Sequence, residues 1–84
     1  MTYQVKINKK AIKSLAKIPE PYYQSIKSAI ITLENNPRPF GYRQLKGRNA
    51  FRIRVSDYRI IYEIKDNILL ILVIDIGHRK EIYS

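Results

Sequence analysis

Residues 51–64 read FRIRVSDYRIIYEI and decide the fold of this chain. In the first five residues, apolar side chains alternate with arginines, and a second strand-like run follows after only Ser56 and Asp57. Alternation with a period of two is typical of a strand that buries one face, and a two-residue gap between such runs is typical of a β-hairpin. With Ser56 and Asp57 as the loop, Arg54 faces Arg59 across the predicted ladder.

Further strands are predicted on both sides of this hairpin. The turn-forming residues 65–67 lead into an apolar run, which predicts a strand over residues 68–76. Residues 3–7 alternate apolar and polar side chains, which predicts a short half-buried strand. Residues 37–47 are expected to form a loop, in which residues 42–45 could add one short strand to the main elements.

Two helices are predicted between the first strand and Pro37. Asn8 can cap a helix over residues 9–17, and Pro21 suits the first turn of a second helix that ends before Pro37. Each helix carries one apolar face that we expect to pack into the core. These faces consist of Ile12, Leu15 and Ala16 in the first helix and Ile26, Ala29, Ile30 and Leu33 in the second.

The predicted order of elements is therefore β-α-α-β-β-β, in a single domain over residues 1–84. A chain of 84 residues is long enough for one hydrophobic core and too short for two. Consecutive strands that are joined by short turns are antiparallel. We expect an α+β fold in which the helical hairpin packs on one face of a small, mainly antiparallel sheet.

The positive charge of the chain is concentrated in one segment. Sixteen Lys and Arg against seven Asp and Glu give a net charge of +9, and residues 38–59 contain seven of these cations against Asp57 alone. Six of the seven are arginines, whose planar guanidinium suits phosphate recognition. The expected partner is a polyanion, which means nucleic acid, an anionic membrane surface or an acidic protein. The alternative is a basic surface that only keeps the protein in solution.

Several classes of protein are excluded by composition. The chain has no cysteine and one histidine, so it can form neither a disulfide framework nor a thiolate zinc site, and His78 cannot bind a metal alone. We expect no metal and no other cofactor. The N-terminal residues lack the apolar run of a signal peptide, and the apolar run at residues 68–74 is far shorter than the roughly 20 residues of a membrane span. We therefore expect a cytoplasmic protein without a membrane partner.

One face of the predicted hairpin carries Arg52, Arg54 and Arg59. Like charges directly opposite each other destabilise a sheet, so their convergence indicates an anion site, with phosphate as the expected anion. The alternative is a solvated face on which the long side chains splay apart. The predicted ladder adds apolar residues to the same face, and these need cover from a partner chain or a second copy. They are Ile61, Leu70, Leu72 and Ile74.

Two stretches of the chain resemble the RelE branch of the RelE/ParE toxin superfamily. They are LKGRNAFRIRVSDYRIIYEI at residues 45–64 and DIGHRKEIY at residues 75–83. The resemblance implies the toxin of a type II toxin–antitoxin system, an endonuclease that depends on the ribosome and cuts mRNA in the A site. The implied partners are the ribosome, mRNA and a cognate antitoxin that wraps the toxin, and such pairs can assemble as heterotetramers.

The resemblance also implies which residues act. The family's functional positions fall on Arg52, Arg54, Arg59, Arg79 and Tyr83, and Lys46 matches a basic position that contacts RNA in related toxins. Apart from the resemblance, His78 joins the catalytic candidates because histidine is the side chain that exchanges a proton most readily near neutral pH. We also expect Arg43, Arg48 and Lys80 to contact RNA or the ribosome. The implied reaction needs no metal. The 2′-hydroxyl of RNA attacks the adjacent phosphate and leaves a cyclic phosphate and a 5′-hydroxyl, while the protein aligns the backbone, stabilises charge at phosphorus and moves two protons.

The general base is left open by the sequence. Well-known toxins of this type carry lysines at the first two basic positions, where this chain has Arg52 and Arg54. Arginine stays protonated in proteins, so neither residue can readily serve as the base. The base is then His78 or Tyr83, or catalysis rests mainly on positioning and electrostatics. His78 could equally be an architectural residue.

Two other functions fit the same fold and charge. The first is inhibition of DNA gyrase by a ParE-like toxin, although such chains generally lack the full set of arginines and tyrosine. The second is a non-catalytic RNA-binding module, for which the arginine face alone would suffice.

Overall fold

The computed structural model describes residues 2–78 and shows a five-stranded sheet with two helices on one face. The elements in chain order are β1 (Gln4–Ile7), α1 (Lys9–Ala16), α2 (Tyr22–Leu33), β2 (Arg43–Gln44), β3 (Phe51–Val55), β4 (Tyr58–Lys65) and β5 (Leu70–His78). The strand order is β1-β5-β4-β3-β2, with β1 parallel to β5 and the other pairs antiparallel. The predicted α+β fold is confirmed, including the short strand near residues 42–45.

The β3–β4 hairpin has the predicted register. Arg54 pairs with Arg59 and Val55 pairs with Tyr58, which leaves Ser56 and Asp57 as the two loop residues. Ser56 takes a positive φ of 56°. A positive φ at the first loop position is characteristic of the primed turns whose twist matches that of the flanking strands.

The connection between β4 and β5 is longer than predicted. Asp66–Ile68 forms a 3₁₀ turn, Leu69 follows with a positive φ of 52°, and β5 begins at Leu70. Lys65 then pairs with Leu70, so the predicted start of the strand at Ile68 was wrong. The apolar character of Ile68 suggested a strand, but its side chain is 62% exposed on the turn.

A β-bulge interrupts the ladder between β4 and β5. Ile61 pairs with Asp75 while the next residue, Tyr62, pairs with Val73, so Ile74 is an extra residue in β5. An extra residue reverses the alternation of side chains beyond it. Before the bulge, the even-numbered residues Leu70 and Leu72 lie on the face away from the helices, as predicted. After it, the odd-numbered residues Asp75 and Gly77 lie on that face.

The first helix is rotated relative to the prediction. The Asn8 side chain caps α1 by accepting a hydrogen bond from the Ala11 N–H at 2.9 Å, as expected. However, Ala11 and the half-buried Leu15 face the sheet, whereas Ile12 is 53% exposed and Ala16 is also exposed. The reason is tertiary, because the Asn8 N–H donates to the Val73 carbonyl and fixes the helix on β5 before its first turn.

The hydrophobic core lies between the helices and the sheet. The second helix buries the residues that its periodicity predicts, with Ile26, Ile30 and Leu33 inside and Ala29 half-buried. They meet the apolar faces of β3, β4 and β5. Those faces consist of Ile53, Ile60, Tyr62, Ile64, Ile71, Val73 and Ile76.

Polar contacts attach the segment after α2 to the sheet at two points. The fully buried Tyr62 donates its hydroxyl to the Pro37 carbonyl at 2.7 Å, and burial raises the pKa of Tyr62 to about 12, so the hydroxyl remains a donor. At the surface, Arg38 forms a salt bridge of 2.8 Å with Asp66, and this contact lowers the pKa of the Asp66 carboxyl. Tyr3 also donates to Asp66. The start of the loop that follows α2 is therefore held in place by contacts of Pro37 and Arg38.

In the part of the chain that the structure describes, neither helix is long and apolar enough to span a membrane.

We expect Tyr62→Phe to destabilise the protein without changing its fold. The substitution leaves the buried Pro37 carbonyl without this donor, which costs about 1–3 kcal/mol of unfolding free energy. Thermal denaturation should show a melting temperature lower by roughly 4–8 °C per kcal/mol for a domain of this size. Tyr22→Phe, which removes the hydroxyl of an exposed tyrosine, is the control, and equal effects of the two substitutions would contradict this account.

Candidate active site and nucleic-acid interface

Arginines occupy opposing positions on the sheet face away from the helices. Arg43 of β2 pairs with Arg52 of β3, and Arg54 of β3 pairs with Arg59 of β4. Directly opposed residues have Cβ atoms about 4.5–5.5 Å apart, so each pair can approach one phosphate. The structure thus brings Arg52, Arg54 and Arg59 together and adds Arg43, which was expected only as an RNA contact. We refer to Arg43, Arg52, Arg54 and Arg59 as the arginine face.

The members of the arginine face differ in depth. Arg54 is exposed and Arg52 is half-buried, whereas Arg59 is only 5% exposed. The Arg59 guanidinium donates one hydrogen bond to the Tyr58 carbonyl at 3.4 Å. A positive charge with little water around it is weakly screened and acts more strongly on a nearby anion than an exposed one. Within this opposed pair, Arg59 is therefore the shielded member and Arg54 is the member at the surface.

His78 lies on the other side of the sheet. It pairs with Tyr58, and the two rings are in edge-to-face contact at 5.6 Å, on the face that the helices cover. Tyr58 in turn contacts the ring of Tyr22 at 5.5 Å. The residue opposite Arg59 is Gly77. The structure therefore does not bring His78 to the arginine face, because the bulge at Ile74 reverses the alternation of β5 before this residue.

Other expected RNA contacts lie beyond the arginine face. Lys46 and Arg48 are exposed on the β2–β3 loop, where Gly47 takes a positive φ of 72° that a side chain would strain. The predicted residues Arg79, Lys80 and Tyr83 lie outside the described residues.

A groove follows the outer edge of β3 next to the arginine face. Its volume is about 510 Å³, and Phe40 on its rim is fully exposed. Its walls consist of Ala29, Thr32, Pro39, Phe40, Gly41, Arg43, Arg52, Ile53 and Arg54. Phe40 was not among the predicted site residues, although its sequence context, an aromatic residue between a proline and a glycine in a basic loop, was an available signal.

Within residues 2–78, no three carboxylate or histidine side chains come together in a way that could hold a metal ion. The chemistry that the described site offers is the binding of anions by guanidinium groups. Phosphate esters match these groups in charge and in the geometry of their oxygens.

Comparison with solved structures identifies relatives of the whole chain. The RelE of an archaeal RelE–RelB complex from Pyrococcus horikoshii OT3 is 32% identical, with a TM-score of 0.83, and the match covers 94% of this chain and 97% of that one. A RelB–RelE antitoxin–toxin complex from Methanococcus jannaschii gives 30% identity and a TM-score of 0.74, covering 92% and 93%.

Sequence comparison leads to the same group of proteins. The mRNA interferase toxin RelE of Escherichia coli K12 is 26% identical over 89 residues, which cover 100% of this chain and 93% of that protein. A family model described as the ParE toxin of the type II toxin–antitoxin system parDE matches residues 5–83. The chain is therefore a RelE-type member of the RelE/ParE superfamily of toxins from type II toxin–antitoxin systems.

Proposed function

We propose that this toxin inhibits translation by cleaving mRNA in the A site of the ribosome. The observation that carries the proposal is the arginine face, in which Arg43 opposes Arg52 and Arg54 opposes Arg59, so that four cations converge on one side of the sheet. The name of the Escherichia coli relative, an mRNA interferase, supports the same activity. The site of action is then the cytoplasm.

The arginines can promote attack by the RNA itself. The 2′-oxygen forms a bond to the adjacent phosphorus and loses its proton, the bond from phosphorus to the 5′-oxygen breaks, and that oxygen gains a proton. The products are a cyclic phosphate and a 5′-hydroxyl. Arg52 and Arg54 hold the phosphate in line for attack, and Arg59 stabilises the negative charge that develops at phosphorus.

Proton transfer needs groups other than these arginines, because guanidinium does not give up its proton in proteins. The geometry of β5 argues against His78, whose ring contacts Tyr58 on the opposite face. We therefore assign the proton steps to Tyr83, or to water within a site that works mainly by positioning and electrostatics. Arg79 is proposed to add positive charge, and Lys46, Arg48 and Lys80 to bind RNA or the ribosome.

A cognate antitoxin is the proposed protein partner. The two archaeal relatives are each part of a complex of RelE with RelB. In this chain Leu70 and Leu72 are half-buried apolar residues on the same side of the sheet as the arginines. An acidic chain with apolar side chains would match both features, and two such pairs would form the expected heterotetramer.

We expect expression of the toxin without an antitoxin to stop growth and to break messages within translated codons, as measured by primer extension. Arg59→Ala should lower cleavage by about 10²–10³-fold, the usual effect of removing one group that stabilises charge in the transition state. Arg54→Ala tests the same site at an exposed position, where folding is not at risk. Lys13→Ala, on the exposed side of α1, is the matched control and should cleave like the parent.

Two outcomes would contradict the proposal. Intact messages together with double-strand DNA breaks would indicate gyrase inhibition, the ParE-like alternative. Unchanged cleavage by folded Arg54→Ala and Arg59→Ala proteins would mean that the arginine face is not the site.

We expect Arg43→Glu to make the protein more stable and less active. It replaces a like-charge pair with an ion pair opposite Arg52, which should raise the free energy of unfolding by a few tenths to about 1 kcal/mol. The same change removes positive charge from the RNA-binding face. Thermal denaturation and cleavage in a reconstituted translation system measure the two effects. Lys13→Glu changes the charge equally but away from the site, so an equal loss of cleavage there would refute the assignment of Arg43.

We expect His78→Phe to cleave mRNA within about threefold of the parent, because it keeps a ring against Tyr58. His78→Ala should lower stability by roughly 0.5–1.5 kcal/mol through loss of the ring pair. The pH profile of cleavage by His78→Phe should match that of the parent. A hundredfold loss of activity in this folded variant, or loss of a limb of the profile near neutral pH, would restore His78 as a catalytic residue.

A further inference from the structure

We propose that the groove along the outer edge of β3 binds one unpaired nucleotide of a single-stranded RNA, with its base stacked on Phe40 and its phosphate held by Arg43. The inference rests on the proposed function, because this nucleotide would belong to the message next to the phosphate that is cleaved. The groove would thus supply a subsite for a base next to the arginine face, which binds phosphate through its charges.

The groove exists because β2 is short. Within residues 2–78, β2 pairs only with Phe51 and Arg52, so the outer edge of β3 is uncovered from Ile53 onward. The second helix forms one wall beside this edge, and residues 39–41 form the rim. The Tyr62–Pro37 hydrogen bond attaches the chain to the core two residues before the first rim residue, Pro39.

The chemistry of the lining favours a nucleotide. Three of its nine residues are arginines and none is acidic, so it attracts an anion. A volume of about 510 Å³ lies within the range of roughly 300–1,000 Å³ that is typical of sites for small ligands. Phe40 presents an aromatic ring to solvent beside these cations, and stacking on such rings is how proteins hold unpaired bases.

The groove is continuous with the arginine face. Arg52 and Arg54 belong to both, and they lie two residues apart on one strand, a separation of about 6.6 Å. A strand of RNA with one phosphate at Arg54 can therefore place the next nucleotide in the groove. Continuity with the arginine face, where the message is proposed to be cleaved, favours RNA over a docked protein segment as the occupant of the groove.

A fluorescence experiment tests the inference directly. The chain contains no tryptophan, so Phe40→Trp in the full-length toxin supplies a single reporter at the rim. The probes are a short single-stranded RNA and a strand of equal length that lacks its bases, both added without ribosomes. We expect the RNA to quench the tryptophan emission. The abasic strand should leave the emission unchanged when the same fraction of the protein is bound, and fluorescence anisotropy measures that fraction. Phe40→Ala should bind the RNA roughly five- to a hundredfold more weakly.

A second reporter position provides the control. Ile12→Trp lies at an exposed residue of α1, which packs on β5 two strands away from β3 and the groove, and should not respond to RNA. Equal quenching by both strands, equal quenching at both reporter positions, or no binding of the RNA would each overturn the inference. Quenching at position 40 by the purified cognate antitoxin but not by RNA would also overturn it, in favour of a protein-docking site.

The outcome is separable from that of the proposed function. A Phe40→Ala toxin that cleaves messages like the parent, combined with no quenching in the Phe40→Trp protein, would refute the subsite and leave the ribonuclease intact. Base-dependent quenching in a protein that leaves cellular messages whole would support the subsite and refute the ribonuclease.

Discussion

The two-residue turn at Ser56 and Asp57 determines on which side of the sheet each residue of β3 and β4 lies. Because side chains alternate strictly along a strand, a shift of one residue would exchange the buried and exposed sets. In the observed register, Ile53 and Ile60 enter the core while Arg54 and Arg59 face away from it. The positions of the helices and of the candidate site both follow from this turn.

The site is built at the expense of stability. Opposed arginines repel each other, and a nearly buried guanidinium such as that of Arg59 loses much of its hydration. A core of isoleucine, leucine, valine and tyrosine side chains on the opposite face supplies the stability that permits this arrangement. Functional sites commonly retain such unfavourable contacts because the same contacts serve binding or catalysis.

Much of the fold could be predicted because its determinants are local. The hairpin follows from alternation and loop length, and the start of α1 follows from the cap at Asn8. The rotation of α1 could not be predicted, because it depends on a hydrogen bond between Asn8 and Val73, which are distant in the sequence. Periodicity alone gave Ile12 a buried position that this anchor does not allow.

The candidate site was predictable to the same extent. The grouping of Arg52, Arg54 and Arg59 follows from the local register of one hairpin, whereas the side on which His78 lies depends on a bulge that the continuous apolar run of β5 does not reveal. Phe40 was missed for a different reason. It lies in a loop, where no periodicity distinguishes an exposed aromatic residue from a buried one.

Because of the bulge at Ile74, the number of residues in β5 determines on which face of the sheet its last residues lie, as well as how far the strand extends. Every position between residue 75 and residue 78 owes its orientation to one residue that has no partner of its own on β4. In a chain of this family that lacked this residue, the counterparts of Gly77 and His78 would each lie on the face of the sheet opposite to the one they occupy here, even if the two residues themselves were unchanged. When such chains are aligned, a one-residue gap in this strand therefore carries more structural information than most substitutions around it.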